Sequence, residues 1–162
     1  MLALAQHTST MDRTAIKKAV LKAARARLEN TAAELKERIT ELRSVTLGGE
    51  DAETPSQTES LRGSDVELLN SLGEQYNHVL ADLARTGAID ASIHPDVVGF
   101  GTVVHTDKRD LFVGASLEEF DARGRRYLGV TPKAPLVQAL LGRRVGERVT
   151  VGNTAYVIEA VF

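Results

Sequence analysis

The run DRTAIKKAVLKAARARLENTAAELKERITELRSV, Asp12 to Val45, holds no Gly and no Pro. It consists mainly of Ala, Leu, Lys, Arg and Glu, the residue types that lose least on entering a helix. About 34 residues of helix reach about 50 Å at 1.5 Å per residue. Leu21, Leu28, Leu35 and Leu42 recur every seven residues, with Ala32 and Ile39 at intervening positions and Ile16 and Val20 extending the stripe towards the start. So narrow a stripe on so long a helix specifies a coiled-coil seam and not the broad face of a globular core.

A partner for that seam follows in the chain. Leu69, Leu72, Tyr76, Val79 and Leu83 are spaced 3, 4, 3, 4, and Gly87 reads as a C-terminal cap. Two starts are open for this second helix. Ser64-Asp65-Val66-Glu67 is a capping box; so is Thr54-Pro55-Ser56-Gln57, with Pro at the first helical position. The earlier start is preferred, because arms of equal length let an antiparallel pair close along its whole seam, although Gly63 then lies inside at a cost of about 1 kcal/mol. Residues 12–87 are therefore expected to form an antiparallel two-helix coiled coil with its loop at 46–54. That loop carries Gly48-Gly49 and three acids, Glu50, Asp51 and Glu53, with no basic residue nearer than Arg43 or Arg62. Residues 1–11 read as a flexible leader, with neither the basic region of a signal peptide nor the length of a membrane span.

The helices differ in charge. Asp12–Val45 carries nine Lys or Arg against five acids, and Pro55–Arg85 two against five. Ion pairing along solvated faces accounts for this. The sharper alternative is contact of Lys17, Lys18, Lys22, Arg25 or Arg27 with a polyanion, which the spacing does not single out.

After a linker at 88–96 the pattern changes to short strands. Val97–Val104 reads as the first, Leu111–Gly114 as the next, Glu118–Gly124 as a polar turn and Arg126–Val130 as a further strand. Pro135 opens a short helix closed by Gly142. Arg148–Val151 and Ala155–Val161 flank a Gly152-Asn153 hairpin turn. Residues 97–162 are thus a small, mostly antiparallel β domain with one short helix, and the chain is α+β.

Composition bounds the chemistry. In 162 residues the hydrophobic share is 43% and the charged share 26%, as in ordinary globular proteins. The net charge of −2 gives no global pull towards nucleic acid or anionic membrane, so neither autonomous DNA binding nor a membrane partner is expected. Without cysteine there are no disulfides, thiolate metal sites or thiol nucleophiles, and a cytoplasmic location is the default. His7, His78, His94 and His105 are isolated, lack metal-ligand spacing and fit surface or edge positions. No Ser or Thr has a nucleophile-elbow context, and Gly48-Gly49 is followed by no Lys-Ser or Lys-Thr of a phosphate loop. Arg123, Arg125 and Arg126 read as a solvated turn before a nucleic-acid site. No metal is expected to be held independently.

The segment Val130-Thr131-Pro132-Lys133-Ala134-Pro135-Leu136-Val137-Gln138-Ala139-Leu140-Leu141-Gly142-Arg143-Arg144-Val145-Gly146-Glu147-Arg148-Val149 resembles the C-terminal domain of the Gre transcript cleavage factors of bacterial RNA polymerase. Those domains have a Ser-Pro-Leu-like step, a short helix ending Ala-Leu-Leu-Gly-Lys, then Val-Gly-Asp and a strand. Ala134-Pro135-Leu136, Ala139-Leu140-Leu141-Gly142-Arg143 and Val145-Gly146-Glu147 follow the same order and spacing. Upstream, Val98-Gly99-Phe100-Gly101, Phe112-Val113-Gly114 and Glu118-Glu119-Phe120-Asp121 are similar to the family's preceding elements.

The resemblance implies an FKBP-like C-terminal domain that docks on RNA polymerase through Ala134, Pro135 and Leu136. It also implies a coiled coil that enters the polymerase secondary channel, with indirect contact to nascent RNA. The tip acids would there support the polymerase's own cleavage of backtracked RNA. Glu50 and Glu53 have the family's acid-x-x-acid spacing, with Asp51 as the alternate, and would act on Mg²⁺ shared with the polymerase centre. On this reading the chain has no cofactor and no active site of its own, and is not an enzyme. The tip departs from the family's Gly-Asp-x-x-Glu-Asn, with Glu in the first place, no Asn and no nearby aromatic. Ala134 stands where the family has Ser. Two alternatives follow, a Gre-like regulator that occupies the channel and inhibits without cleavage, and a coiled-coil interaction protein unrelated to transcription. An isomerase is a poor fit, since Phe100, Phe112, Phe120, Tyr127, Tyr156 and Phe162 do not readily furnish an aromatic pocket.

Overall fold

A computed structural model of the chain describes residues 9–47 and 55–162, with 46–47 and 55–62 described by backbone alone. The fold is α+β: two long helices, α1 (Thr10–Leu47) and α2 (Pro55–Gly87), precede a six-stranded sheet and one short helix, α3 (Pro135–Leu140). The strands are β1 (Val103–Thr106), β2 (Asp110–Val113), β3 (Leu117–Ala122), β4 (Arg125–Val130), β5 (Arg148–Val151) and β6 (Thr154–Val161).

α1 begins two residues before Asp12 because Ser9 caps it. The Asp12 amide donates to Ser9 Oγ at 3.2 Å, and that hydroxyl donates to the Asp12 carboxylate at 3.1 Å. One orphan amide of the first turn is thereby satisfied. α2 starts at Pro55, the earlier of the two sequence starts. Its end differs from expectation. Gly87 is the last helical residue and is not among the glycines of positive φ, so it provides no left-handed cap.

The chain divides into two compact units, Leu28–Leu83 and a second made of the residues up to Arg27 together with Ala84–Phe162. The first contains only helix among its described residues. Leu28, Ala32 and Leu35 of α1 and Leu72 of α2 are buried there, while Ile39, Leu42, Leu69, Tyr76, Val79 and Leu83 are half-buried. These are the seam positions read from the heptads. Each fully buried aliphatic side chain contributes about 1.5–3 kcal/mol relative to exposure.

In the second unit the strand order is β3-β4-β2-β1-β6-β5, antiparallel except for β2 with β4. That parallel pairing runs from Asp110↔Tyr127 to Val113↔Val130. Neighbouring strand residues serve opposite faces of the sheet. Val103, Phe112, Phe120, Tyr127 and Phe162 pack with Val20, Leu21 and Ala24 of α1. Val104, Leu111, Val113, Val130, Ile158 and Val161 pack with Val137 and Leu140 of α3. The root of α1 thus covers one face and α3 the other.

Two strand expectations need correction. Glu118–Gly124, read as a polar turn, is β3 as far as Ala122, followed by an Arg123-Gly124 turn whose φ values are 49° and 78°. An edge strand exposes one face and its outer rim, so Glu118, Glu119 and Asp121 are solvated while Phe120 and Ala122 point inward. The expected strand Val97–Val104 is divided. Val97 forms an isolated bridge to Arg144, the chain bends through Gly101 at φ 86°, and β1 begins only at Val103.

The segment 88–96 is strapped to α1. Ala91 is buried in the aromatic core, and the Ser92 amide and hydroxyl donate to the Asp90 carboxylate at 2.9 and 2.6 Å. Lys17 Nζ donates to the Ile93 carbonyl at 2.8 Å, and Thr14 Oγ1 lies 3.0 Å from His94 Nε2. Lys17 is therefore buried, and of the five cations considered for a polyanion it is the one turned inward. Burial pushes its ammonium pKa down, with Asp90 opposing.

Candidate functional site

The tip acids Glu50, Asp51 and Glu53 lie outside the described residues. The other sequence-predicted site, Ala134, Pro135 and Leu136, opens α3. Ala134 occupies the N-cap position with extended backbone (φ −62°, ψ 140°) and offers no side-chain cap, while Pro135 supplies the helical φ without needing an amide partner. The cap position is one where a Ser hydroxyl could accept an amide of the first turn. Pro135 is exposed; Ala134 and Leu136 are half-buried against the α3 core. Leu136 is thus partly a packing residue, and the step presents Pro135 to solvent.

Beyond α3 the backbone is held by two left-handed glycines. Gly142 (φ 75°) turns its amide to the Val98 carbonyl at 2.9 Å, and the Val98 amide donates to the Arg143 carbonyl at 2.9 Å. Gly146 (φ 90°) donates to the Ile158 carbonyl at 2.8 Å. A side chain at either position would strain the backbone. The Glu147 carboxylate accepts the Arg144 amide at 2.6 Å. That bond and, secondarily, Arg143 hold its pKa below the usual range. The Arg144 guanidinium reaches Asp96 at 2.7 Å.

This pairing of 97–98 with 142–144 sets side by side two segments that carry exposed apolar residues. Phe100 is 46% exposed, Leu141 37% and Val145 53%. Single exposed apolar side chains are common on soluble proteins, and these three are candidates because they flank the paired segments. Sequence reading placed Phe100 in a strand and Leu141 at the end of the short helix. It missed their exposure because hydrophobicity alone does not tell which face a bend turns outward.

Other predicted features fall elsewhere. Phe112, Phe120, Tyr127 and Phe162 are buried in the core beneath α1. His105, expected at a surface or edge, is buried at 7% exposure and lies 2.9 Å from the Tyr127 hydroxyl. Two arginines of the β3–β4 hairpin are engaged, Arg125 with Asp110 at 3.1 Å and Arg126 with Glu119 and Asp121 at 3.6 Å each. A 440 Å³ surface groove beside them is lined by Lys108, Arg109, Arg125 and Arg126 against Asp107, Asp110 and Glu119, a mixed set of charges. Among the described residues no group of His, Asp and Glu could hold a metal ion, and no helix is long and apolar enough to cross a membrane.

No family model and no curated protein matches the chain. Among solved structures, that of the transcription factor Gfh1 is similar to it over 86% of this chain and 94% of that chain, at 18% identity and a TM-score of 0.36. At that TM-score the likeness fixes neither fold nor function.

Proposed function

We propose that the chain is a Gre-type transcription factor that binds RNA polymerase and stimulates the polymerase's own cleavage of backtracked RNA. One observation carries the reading: the Gre-like segment 130–149 coincides with α3 and its two glycine turns, behind a two-helix unit. Pro135 starts the helix, and Gly142 and Gly146 take left-handed backbone where the motif has glycine. The motif residues therefore have backbone duties here that explain their order.

In this role the sheet domain docks and the helices deliver acids. Docking would use Pro135 with its neighbours Ala134 and Leu136, extended by the exposed Leu141, Val145 and Phe100. Mg²⁺ takes oxygen ligands in an octahedron and is commonly held by one or two carboxylates. Glu50 and Glu53, with Asp51 as alternate, would retain such an ion in the polymerase centre and orient the hydrolytic water. The chain supplies no catalytic centre of its own, and any contact with nascent RNA is made within that complex.

A second reading has its own observation. The tip has Glu in place of the family's first Asp and lacks the Asn and the aromatic, which favours a regulator that fills the channel without promoting cleavage.

Shortening of backtracked RNA in a stalled polymerase complex separates the two. Rapid shortening by the wild type, lost in Glu50→Ala/Glu53→Ala, supports the cleavage factor. Slowed elongation by both proteins with no shortening supports the inhibitor. Failure of the full chain to bind polymerase overturns both.

A further inference from the structure

We draw no further inference here: the strongest candidate, the exposed stripe of Lys18, Lys22 and Arg25 on the first half of α1, already faces Asp90 through Lys18 and the last residue of α2, Gly87, through Arg25, and nothing in the structure shows what else would cover it.

Discussion

His105 on β1 and Tyr127 on β4 share a hydrogen bond of 2.9 Å inside the core that seats α1. The two rings lie 5.7 Å apart, and Phe162 meets the imidazole edge-on at 5.4 Å. Burial lowers the His105 pKa below its ordinary 6.5. Asp110 on β2 opposes the shift, while Arg125 on β4 and Arg13 on α1 reinforce it. Burial likewise pushes the Tyr127 phenol up to about 12.

The sign of the pH dependence follows. Below pH 6.5 the unfolded chain takes up a proton at His105 that the folded chain resists, so stability is fully present above that value and falls as pH drops towards the lowered folded pKa. Asp90, Asp107 and Glu147 are held below their ordinary values of 3.8, 3.8 and 4.5, chiefly by hydrogen bonds from Ser92, the Val157 amide and the Arg144 amide. Their contribution is lost only in a separate, more acidic window. Thermal melts from pH 7.5 to 5 should show a decline that His105→Phe removes. That variant also leaves the Tyr127 hydroxyl unpaired, at about 1–3 kcal/mol. A decline of equal slope in the variant would remove His105 as its source.

Gly129 has no room for a side chain. A Cβ there would sit 2.6 Å from the Ala115 carbonyl oxygen and 2.6 Å from Leu117 Cβ, where the chain passes from β2 to β3. Overpacking of this kind costs about 1–3 kcal/mol, and the nearest backbone has little freedom to yield. Gly129→Ala should lower the denaturant midpoint accordingly, whereas Gly152→Ala provides a contrast in which strain comes from φ (62°) and not from a clash. Unchanged stability in Gly129→Ala would mean that the β2–β3 link is looser than its distances imply.

Leu72 is 3% exposed in a unit otherwise rich in half-buried seam residues. Leu72→Ala should cost about 2–5 kcal/mol, as large-to-small core substitutions do. The exposed Leu68→Ala should cost far less. Helix content followed by circular dichroism on heating reads the difference, and equal effects would refute a packed seam.

Arg123 holds φ 49°, a left-handed conformation unfavourable for a long side chain, in a two-residue turn closed by Ala122↔Arg125. Asn at the first position of such a turn is preferred. Arg123→Asn should raise stability by roughly 0.5–1 kcal/mol in chemical unfolding, given a left-handed penalty of about 1–2 kcal/mol for ordinary residues. Loss of stability would show that Arg123 contributes through its side chain.

The parts of the fold legible in the sequence were those governed by local pattern. The 3-4 spacing of Leu69, Leu72, Tyr76, Val79 and Leu83 and the Gly/Pro-free run from Asp12 specify their helices with no tertiary information. Pro135 and Gly142 bracket α3, and Gly152-Asn153 marks the β5–β6 turn. β3 was hidden because its register shifts between Leu117 and Phe120, which breaks the two-residue alternation. Pairing of β2 with β4 is a long-range choice that no local signal encodes. Lys17 and His105 were misplaced for a related reason: a carbonyl at Ile93 and a hydroxyl at Tyr127, distant in sequence, make their burial tolerable. For the candidate docking surface, the Pro135 step was legible as a motif. The exposed Leu141, Val145 and Phe100 emerge only once 97–98 is laid against 142–144.

The parallel seat of β4 between β3 and β2 also governs the order in which this sheet can be assembled. β3 leaves the end of β2, skips one strand position and pairs only with β4, so it joins the sheet through the hairpin whose Arg123-Gly124 turn brings β4 back beside β2. On a ribosome, the edge formed by Leu111, Phe112 and Val113 therefore stays open until residue 130 has emerged. The narrowness of the β4 slot at Gly129 makes the seating of that strand a close fit against the β2–β3 link that the same chain has just laid down.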